Sequence, residues 1–217
     1  MNPASSPAPD PYLLVTTRSR LHGIAEGLLA GPQRRAGGGL ALRITPGGFA
    51  TTGEPALRLE GTDLVVGERR RVAVAGTFEV LADSIGVEFG APAGEYPDGS
   101  NESPADDAAL DPASARLIED WFLLADAALR VMASEVTPIL WPEHFDVAIL
   151  LDDTSYGASP GDALHATPYA YVSIAEHGDS EFWNAPFGAV RDHTELATID
   201  DLVTFWRTGQ ALLTAGG

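Results

Sequence analysis

Apolar residues near the start of the chain recur with the period of an α-helix. Five of them occupy positions i, i+3, i+4, i+7 and i+8: Leu21, Ile24, Ala25, Leu28 and Leu29. This spacing gives a helix one apolar face, so we predict a helix over residues 20–30, with Thr17 or Ser19 as its N-cap. Gly31-Pro32 should end it, because both residue types are typical of helix ends. Residues 12–16 are predicted to be a short strand or an extended lead-in.

Three further stretches show helical patterns. The predicted helices cover residues 77–86, 113–133 and 200–213, and each has a residue that can cap its first turn: Thr77, Asp111 and Asp200. Threonine and aspartate side chains accept hydrogen bonds from the free N–H groups of a first turn, which is why they are favoured there.

Between the first two helices, short alternating runs indicate strands. They cover residues 40–45, 49–52, 56–60, 63–66 and 70–74. Turn residues between them, as in Pro46-Gly47-Gly48, indicate antiparallel hairpins. Two later strands are predicted over residues 146–151 and 169–174. No internal sequence repeat is found, and strands do not alternate regularly with helices. We therefore predict an α+β fold, a single domain with a mainly antiparallel twisted sheet covered by helices.

Length and composition indicate how the chain is organised. With 217 residues, 45% hydrophobic and 20% charged, it suits one globular domain, which we assign to residues 12–217. Residues 1–11, rich in proline, serine and alanine, are predicted to be a disordered leader. Residues 90–112 are predicted to be a long acidic loop at the surface. No run is long and apolar enough to span a bilayer and no signal pattern is seen, so a cytoplasmic protein is expected.

Charge is unevenly distributed along the chain, whose formal net charge is −18. Residues 1–76 carry nine arginines and six acidic residues, whereas residues 77–217 carry four arginines and 25 acidic residues. So acidic a surface repels nucleic acid and anionic membranes, and neither is an expected partner. The first interpretation of this charge is solubility, and attraction of a cationic ligand is the alternative. The chain has no cysteine and no lysine, which excludes thiolate chemistry and lysine Schiff bases.

One segment, residues 140–189, combines aromatic, acidic and imidazole side chains with short apolar runs. We predict that it forms the wall of a small-molecule pocket, which needs flat apolar surface and a few placed polar groups. The predicted ligand-binding residues are Trp141, Tyr156, Asp162, Tyr169, Tyr171, Trp183 and Asn184. If the site is catalytic, Glu143 or His144 would be the acid/base and Asp146 would orient it. The pattern identifies no cofactor and requires no metal.

Two other hypotheses stay open for this segment. In the first, it is a non-catalytic interaction module whose aromatic residues form a partner or homodimer interface. In the second, His144 and Asp146 are part of a two-histidine-one-carboxylate site of a non-haem metal enzyme, with His165, His177 or His193 as the third ligand. A concave cavity with a polar floor would favour the pocket, and a flat exposed aromatic face would favour the interface.

The segment also contains Gly157-Ala158-Ser159-Pro160-Gly161, which matches the G-x-S-x-G pattern of serine hydrolases. That chemistry needs the backbone N–H of the residue after the serine for its oxyanion hole, and Pro160 has none. We therefore interpret these residues as a turn.

Several motifs resemble those of one protein family. They are Leu21-His22-x-x-Ala25-Glu26, Thr45-Pro46-Gly47-Gly48-Phe49, Leu140-Trp141-Pro142-Glu143-His144-Phe145-Asp146, Tyr156-Gly157-x-Ser159-Pro160-Gly161-Asp162, Pro168-Tyr169-x-Tyr171-Val172 and Phe182-Trp183-Asn184-Ala185-Pro186-Phe187-Gly188-Ala189. The chain thus resembles an uncharacterised group of actinobacterial hypothetical proteins over most of its length. The resemblance implies a cytosolic actinobacterial protein and transfers no activity, cofactor or ligand. Its pattern includes the equivalents of His144 and Asp146 but not the three other histidines, which weakens the metal hypothesis.

Overall fold

Helices and strands are grouped along the chain rather than alternating. The computed structural model describes residues 9–97 and 99–215. Its helices are α1 (Pro11–Gly23), α2 (Gly31–Arg35), α3 (Phe78–Ile85), α4 (Pro112–Met132) and α5 (Ile199–Ala215), and a π-helical segment, Ile24–Ala30, joins α1 to α2. Its strands are β1 (Leu42–Thr45), β2 (Gly48–Thr51), β3 (Leu57–Glu60), β4 (Asp63–Val66), β5 (Arg70–Ala73), β6 (Ile139–Trp141), β7 (Asp146–Leu151), β8 (Thr154–Ser159), β9 (Tyr169–Ser173) and β10 (Gly188–Asp192).

All ten strands belong to one antiparallel sheet, in the order β10-β9-β8-β7-β6-β1-β2-β3-β4-β5. The predicted α+β class with a mainly antiparallel sheet is therefore confirmed. The five runs predicted between the first helices correspond to β1–β5, and the two later predicted strands correspond to β7 and β9. The sequence pattern missed β6, β8 and β10, which are short or rich in small residues.

The N-terminal helix begins earlier than predicted. Asp10, rather than Thr17 or Ser19, is its N-cap, because its carboxylate accepts hydrogen bonds from two backbone N–H groups of the first turn. Pro11 occupies that first turn, where its missing N–H is tolerated. The strand or lead-in predicted over residues 12–16 is wrong, since these residues are helical.

The same helix also ends later than predicted. Gly31-Pro32 does not stop it, because the π-helical segment continues into α2 and Pro32 lies in the first turn of that helix. The apolar stripe that predicted the helix is confirmed, since all five of its residues are fully buried: Leu21, Ile24, Ala25, Leu28 and Leu29.

The caps of the other helices are mostly as predicted. Thr77 accepts a hydrogen bond at the start of α3, and Asp111 does so at the start of α4. For α5 the predicted cap, Asp200, is wrong. Thr198 Oγ1 accepts from the Asp201 N–H at 3.2 Å, and the Asp201 carboxylate accepts from the Thr198 N–H at 2.9 Å, which is a reciprocal capping arrangement.

The sheet has one face covered by helices and one open face. In β7, Val147 and Ile149 belong to the main core, which α4 and α5 cover. Alternate residues point the other way: Ala148 joins a small separate cluster with Tyr169 and Tyr171, and Leu150 is 63% exposed. The open face of the sheet is therefore the place where a ligand can reach side chains held by strands.

Both halves of the chain share one order of main elements, to which the first half adds the π-helical segment and α2, and the second a 3₁₀ turn at His193–Glu195. A helix (α1 or α4) precedes five consecutive antiparallel strands, and another helix (α3 or α5) follows them. We call β1–β5 the first section and β6–β10 the second section. Their first strands, β1 and β6, pair antiparallel at the centre of the sheet through Leu42 and Leu140. The structure thus contains a topological repeat that the sequence does not reveal.

The predicted acidic loop, residues 90–112, has no helix or strand in its described part before α4 begins. It does more than cover the surface, because Ala108 is fully buried. The backbone N–H and Oγ of Ser100 also donate to the buried Glu26 carboxylate, at 2.9 and 2.6 Å. These contacts tie the loop to the π-helical segment.

Most of the predicted disordered leader, residues 1–8, lies outside the described residues, and Pro11 already belongs to α1. Within the part of the chain that the structure describes, no helix has the length and apolar character needed to cross a membrane.

Candidate functional site

A groove lies on the open face of the second section and consists of two adjoining lobes. Their volumes are about 450 and 380 Å³, which is within the range of small-molecule sites. The residues shared by both lobes are His144, Asp146, Ser155 and Tyr171. The first lobe adds Ser159, Asp162, Tyr169, Ser173 and Phe187, and the second adds Val136, Ile139, Trp141, Glu143 and Leu150. We call the two lobes together the open-face groove.

Strand register brings these residues together from distant parts of the chain. Trp141 of β6 pairs with Asp146 of β7, and Ser159 of β8 pairs with Tyr169 of β9. The β7–β8 register places Asp146 opposite Ser159, so these four side chains form one row across the sheet. Side chains alternate along a strand, so Tyr171 lies on the same face as Tyr169, as the sequence predicts.

Asp146 is the most unusual group in the groove. It is only 7% exposed, and Tyr171 Oη donates a hydrogen bond to its Oδ2. Its other oxygen, Oδ1, has no hydrogen-bond partner among the described residues. Burial raises the pKa of Asp146 above its ordinary value, and the bond from Tyr171 offsets part of that rise. The groove therefore contains a carboxyl group whose ionisation is opposed by burial and whose Oδ1 is enclosed without a hydrogen-bond partner in the described structure.

Gly157 makes the contact between Tyr171 and Asp146 possible. It lies in β8 between the strands that carry them, directly opposite Tyr171. A Cβ at this position would come within 2.5 Å of Tyr171 Cζ and Oη, and within 2.8 Å of the Val147 carbonyl oxygen. Only glycine leaves room for the phenol ring to cross β8 and reach the carboxyl group.

The β6–β7 loop, Pro142 to Phe145, is anchored from the helix side. Phe145 has a φ of 51°, a conformation that L-residues rarely adopt, and its ring is buried against Phe49 and Phe122. His22 of α1 stacks on Phe145 with ring centroids 5.4 Å apart, and its Nε2–H donates to the Pro142 carbonyl oxygen at 2.6 Å. Burial lowers the pKa of His22 and so favours the neutral ring.

This anchored loop presents Glu143 and His144 to the groove. The His144 side chain is 72% exposed and the Glu143 side chain 27% exposed. Glu143 Oε1 lies 3.6 Å from His144 Nδ1, which is longer than a hydrogen bond. The two predicted acid/base candidates thus lie at the rim, whereas Asp146 is buried between the strands.

Asp162 and Tyr169 form a second carboxyl–phenol pair in the first lobe. Tyr169 Oη donates to Asp162 Oδ2 at 2.6 Å, and the backbone N–H groups of Leu164 and His165 donate to Oδ1. Burial opposes ionisation of Asp162, but these hydrogen bonds outweigh it and lower its pKa. In contrast to Asp146, both oxygens of this carboxylate have partners.

Two tryptophans hold the strands of the groove from the covered face. Trp121 of α4 donates its Nε1–H to the Ser159 carbonyl oxygen at 3.0 Å, and Trp206 of α5 donates to the Tyr171 carbonyl oxygen at 3.1 Å. Both rings are buried. The groove is therefore built on a rigid support, which favours binding with little loss of conformational entropy.

Three of the predicted ligand-binding residues lie away from the groove. Tyr156 is on the covered face of β8, 2% exposed within the main core. Trp183 stacks on His177 outside the groove. Asn184 is exposed. Its side-chain amide donates to the Val190 carbonyl oxygen and accepts from the Val190 N–H. It thereby covers backbone groups at the edge strand β10, a structural role.

The prediction also missed several groove residues. Ser155, Ser159 and Ser173 line it, as does Phe187, while Gly157 gives the clearance for Tyr171. The signal available was the alternation along β8, where small residues occupy every second position. The turn interpretation of the G-x-S-x-G pattern hid this alternation, because Gly157 and Ser159 are in β8 itself.

The histidines proposed as third metal ligands do not gather around His144 and Asp146. His165 pairs with Asp192 at 3.1 Å, His177 stacks on Trp183, and His193 bonds the Pro168 carbonyl oxygen. Over residues 9–97 and 99–215, no three histidine, aspartate or glutamate side chains converge as a metal site would require.

Comparisons with known proteins assign no family to this chain. Family models, curated proteins and solved structures all give no match to it.

Proposed function

We propose that this protein binds a small molecule in the open-face groove and that Asp146 is the residue that recognises it. One observation carries the proposal: Asp146 lines both lobes, is buried, and has an oxygen without a hydrogen-bond partner in the described structure. Nearly all buried polar groups have partners, because leaving one unpaired costs about 1–3 kcal/mol. A donor group on a ligand would supply the missing hydrogen bond.

The same arrangement would allow proton exchange with the bound molecule. Asp146 is more suitable for this than the rim residues Glu143 and His144, because it is buried between strands and burial raises its pKa above its ordinary value. The chemistry in this proposal needs no metal. Tyr171 holds the carboxyl group in place, and Gly157 and the β6–β7 loop hold the surrounding backbone.

Ligand-observed NMR with a mixed panel of amino acids, amines, organic acids, sugars and nucleosides tests the proposal. Ser155 lies between the two lobes, so Ser155→Trp should fill the groove. Ala73→Trp, at an exposed position of edge strand β5, is the matched control. We expect at least one compound to bind the native protein and Ala73→Trp but not Ser155→Trp. A signal that survives in a folded Ser155→Trp protein would contradict the proposal, as would a panel without any binder.

The competing use of the open face is as an interface between two copies of the chain. Leu150, which lines the groove and is 63% exposed, is the apolar residue that such an interface would cover. Sedimentation velocity of native and Leu150→Asp protein distinguishes the two uses. A native dimer that Leu150→Asp dissociates, together with no binder in the panel, would favour the interface over the ligand site.

A further inference from the structure

The open-face groove has acidic and aromatic walls. Glu143, Asp146 and Asp162 line it, and none of its described lining residues is an arginine. Lysine is absent from the whole chain. His144 is the groove's one basic side chain in the described structure, and it lies mostly in solvent at the rim. Arg18 lies beside Asp162, but no arginine lies beside Asp146 among the described residues. An anionic ligand would therefore meet the Asp146 carboxyl group with no fixed positive charge to compensate it.

The three carboxyl groups differ in what they can still accept. Both oxygens of Asp162 have donors, and Glu143 is partly exposed to water beside His144. Asp146 is more than nine-tenths buried and Oδ1 has no donor among the described residues. A ligand donor would therefore gain most at Asp146.

The surroundings of Asp146 are better matched to a charged donor than to a neutral one. The titratable groups that face it are Tyr169 and Tyr171 from β9, and Glu143 and His144 from the β6–β7 loop. Glu143 is the one carboxyl group among these four, and burial raises the pKa of both tyrosines, so their phenols stay uncharged. A buried carboxylate is costly without a cation, and a hydrogen bond between two charged groups is about twice as strong as a neutral one.

Aromatic rings line both lobes and add a second attraction for cations. The Tyr169 and Tyr171 rings lie 6.3 Å apart in the first lobe, and Trp141 lines the second. Aromatic faces attract ammonium groups. The 25 acidic residues among residues 77–217, against four arginines, would also raise the local concentration of cations.

We infer that the ligand of the open-face groove is an organic amine whose positively charged nitrogen donates to the Asp146 carboxylate. This inference rests on the proposed function and adds the class of ligand. It predicts that the protein prefers a positively charged ligand to a neutral or anionic one with the same carbon skeleton. This preference should disappear when Asp146 is replaced by an uncharged residue.

Three probes of nearly equal size test the inference: benzylamine, benzyl alcohol and benzoate, titrated at pH 7 into the native protein, Asp146→Asn and Asp63→Asn. Asp63→Asn is the control, because it removes an acid from the first section, far along the sheet from the groove. We expect benzylamine to bind native protein and Asp63→Asn at least about tenfold more tightly than benzyl alcohol, as one charge-assisted hydrogen bond would give. Benzoate should bind most weakly, and Asp146→Asn should lose the preference for the amine.

Each other outcome overturns the inference. If the alcohol or benzoate binds as tightly as the amine, or if Asp146→Asn keeps the preference, the ligand is not an amine held by Asp146. If none of the three binds while only compounds without a positively charged nitrogen bind from the mixed panel in a Ser155-dependent way, the amine class is wrong and the proposed function stands. If nothing binds in either experiment, both fail.

Discussion

The two sections of the sheet have the same topology but opposite chemistry on their open faces. Counted from the Leu42–Leu140 pair, one row of open-face residues in the first section is Arg43, Ala50, Arg58, Val65 and Arg71. The corresponding row of the second section is Trp141, Asp146, Ser159, Tyr169 and Asp192. Arginines thus alternate with apolar residues in the first row, whereas the second row has two aspartates among aromatic and small residues and no arginine.

The sections also differ in how their charges are paired. In the first, Arg58 and Arg71 both bind Glu60, and Arg71 also lies 3.2 Å from Asp63, all at least partly exposed. In the second, Asp146 is buried, and no arginine is among the described groups that act on its charge. Exposed pairs add little to stability and cost little. A buried unpaired carboxyl group lowers stability, so its presence in only one section points to function there.

The largest expected effect comes from Gly157→Ala. The new methyl group would displace Tyr171 and press on the Val147 carbonyl oxygen, which cannot move without distorting β7. We expect a loss of about 3 kcal/mol in the free energy of unfolding, measured with denaturant, and loss of ligand binding. In the first section, Ala56 corresponds to Gly157 and Gly67 corresponds to Tyr171. No aromatic ring therefore crosses a neighbouring strand at those positions.

Gly39→Ala is the matched control for that substitution. Gly39 has open space around its Cα and no left-handed backbone, so an added methyl group should be nearly neutral. Equal stability of Gly157→Ala and Gly39→Ala would mean that Tyr171 does not need the clearance over β8.

A smaller effect should separate the two tyrosines. Tyr171→Phe removes the donor to Asp146 and leaves both oxygens of that carboxyl group unpaired, which should cost about 2 kcal/mol at pH 7. Tyr169→Phe should cost about 1 kcal/mol or less, because Asp162 keeps two backbone donors. Chemical denaturation of both variants measures the difference. The reverse order would show that Asp162, and not Asp146, depends on its phenol partner.

The smallest effect is expected in the first section. Glu60→Gln weakens the exposed contacts with Arg58 and Arg71. We expect a small decrease in melting temperature that vanishes at high NaCl concentration, because salt screens exposed ion pairs. A decrease as large as that of Tyr171→Phe, or one that salt does not reduce, would remove the contrast between the sections.

The sequence predicted the first section better than the second for physical reasons. Alternating apolar residues and glycine turns made β1–β5 recognisable. In β8, however, Ser155, Gly157 and Ser159 give the open face no apolar signal, so the sequence predicts a turn in place of this strand. Without that strand, the sequence does not show on which face of the sheet the Tyr156 side chain lies. The prediction of Tyr156 as a pocket residue is therefore wrong.

The groove residues in β7 and β9 were predicted more reliably. Asp146, Tyr169 and Tyr171 were identified, because their strands carry strong apolar patterns. Their contacts could not be predicted. Asp146 and Tyr171 are separated by 25 residues, and only the register of three strands brings them together. The topological repeat was also hidden, because corresponding positions have unrelated residue types.

We propose that Asp146 serves binding at the expense of stability, and the pH dependence of stability isolates its contribution. Because the folded state raises the pKa of Asp146, the folded protein keeps a proton that the unfolded chain releases. The free energy of unfolding should therefore fall as the pH rises above about 4, the ordinary range of aspartate. Burial also raises the pKa of Glu119, to about 8, so Glu119 adds a similar decrease of the free energy of unfolding with pH. This contribution is the same in native protein and in Asp146 variants.

The decisive measurement is the free energy of unfolding of native and Asp146→Asn protein from pH 4 to pH 8. Asparagine can still accept from Tyr171 and carries no charge, so the contribution of Glu119 cancels in the difference. We predict that the free energy of unfolding of Asp146→Asn increases relative to that of native protein as the pH rises, until the variant is the more stable protein. An asparagine variant that is less stable by several kcal/mol at every pH would show that Asp146 is a structural hydrogen-bonding centre, and would contradict the account.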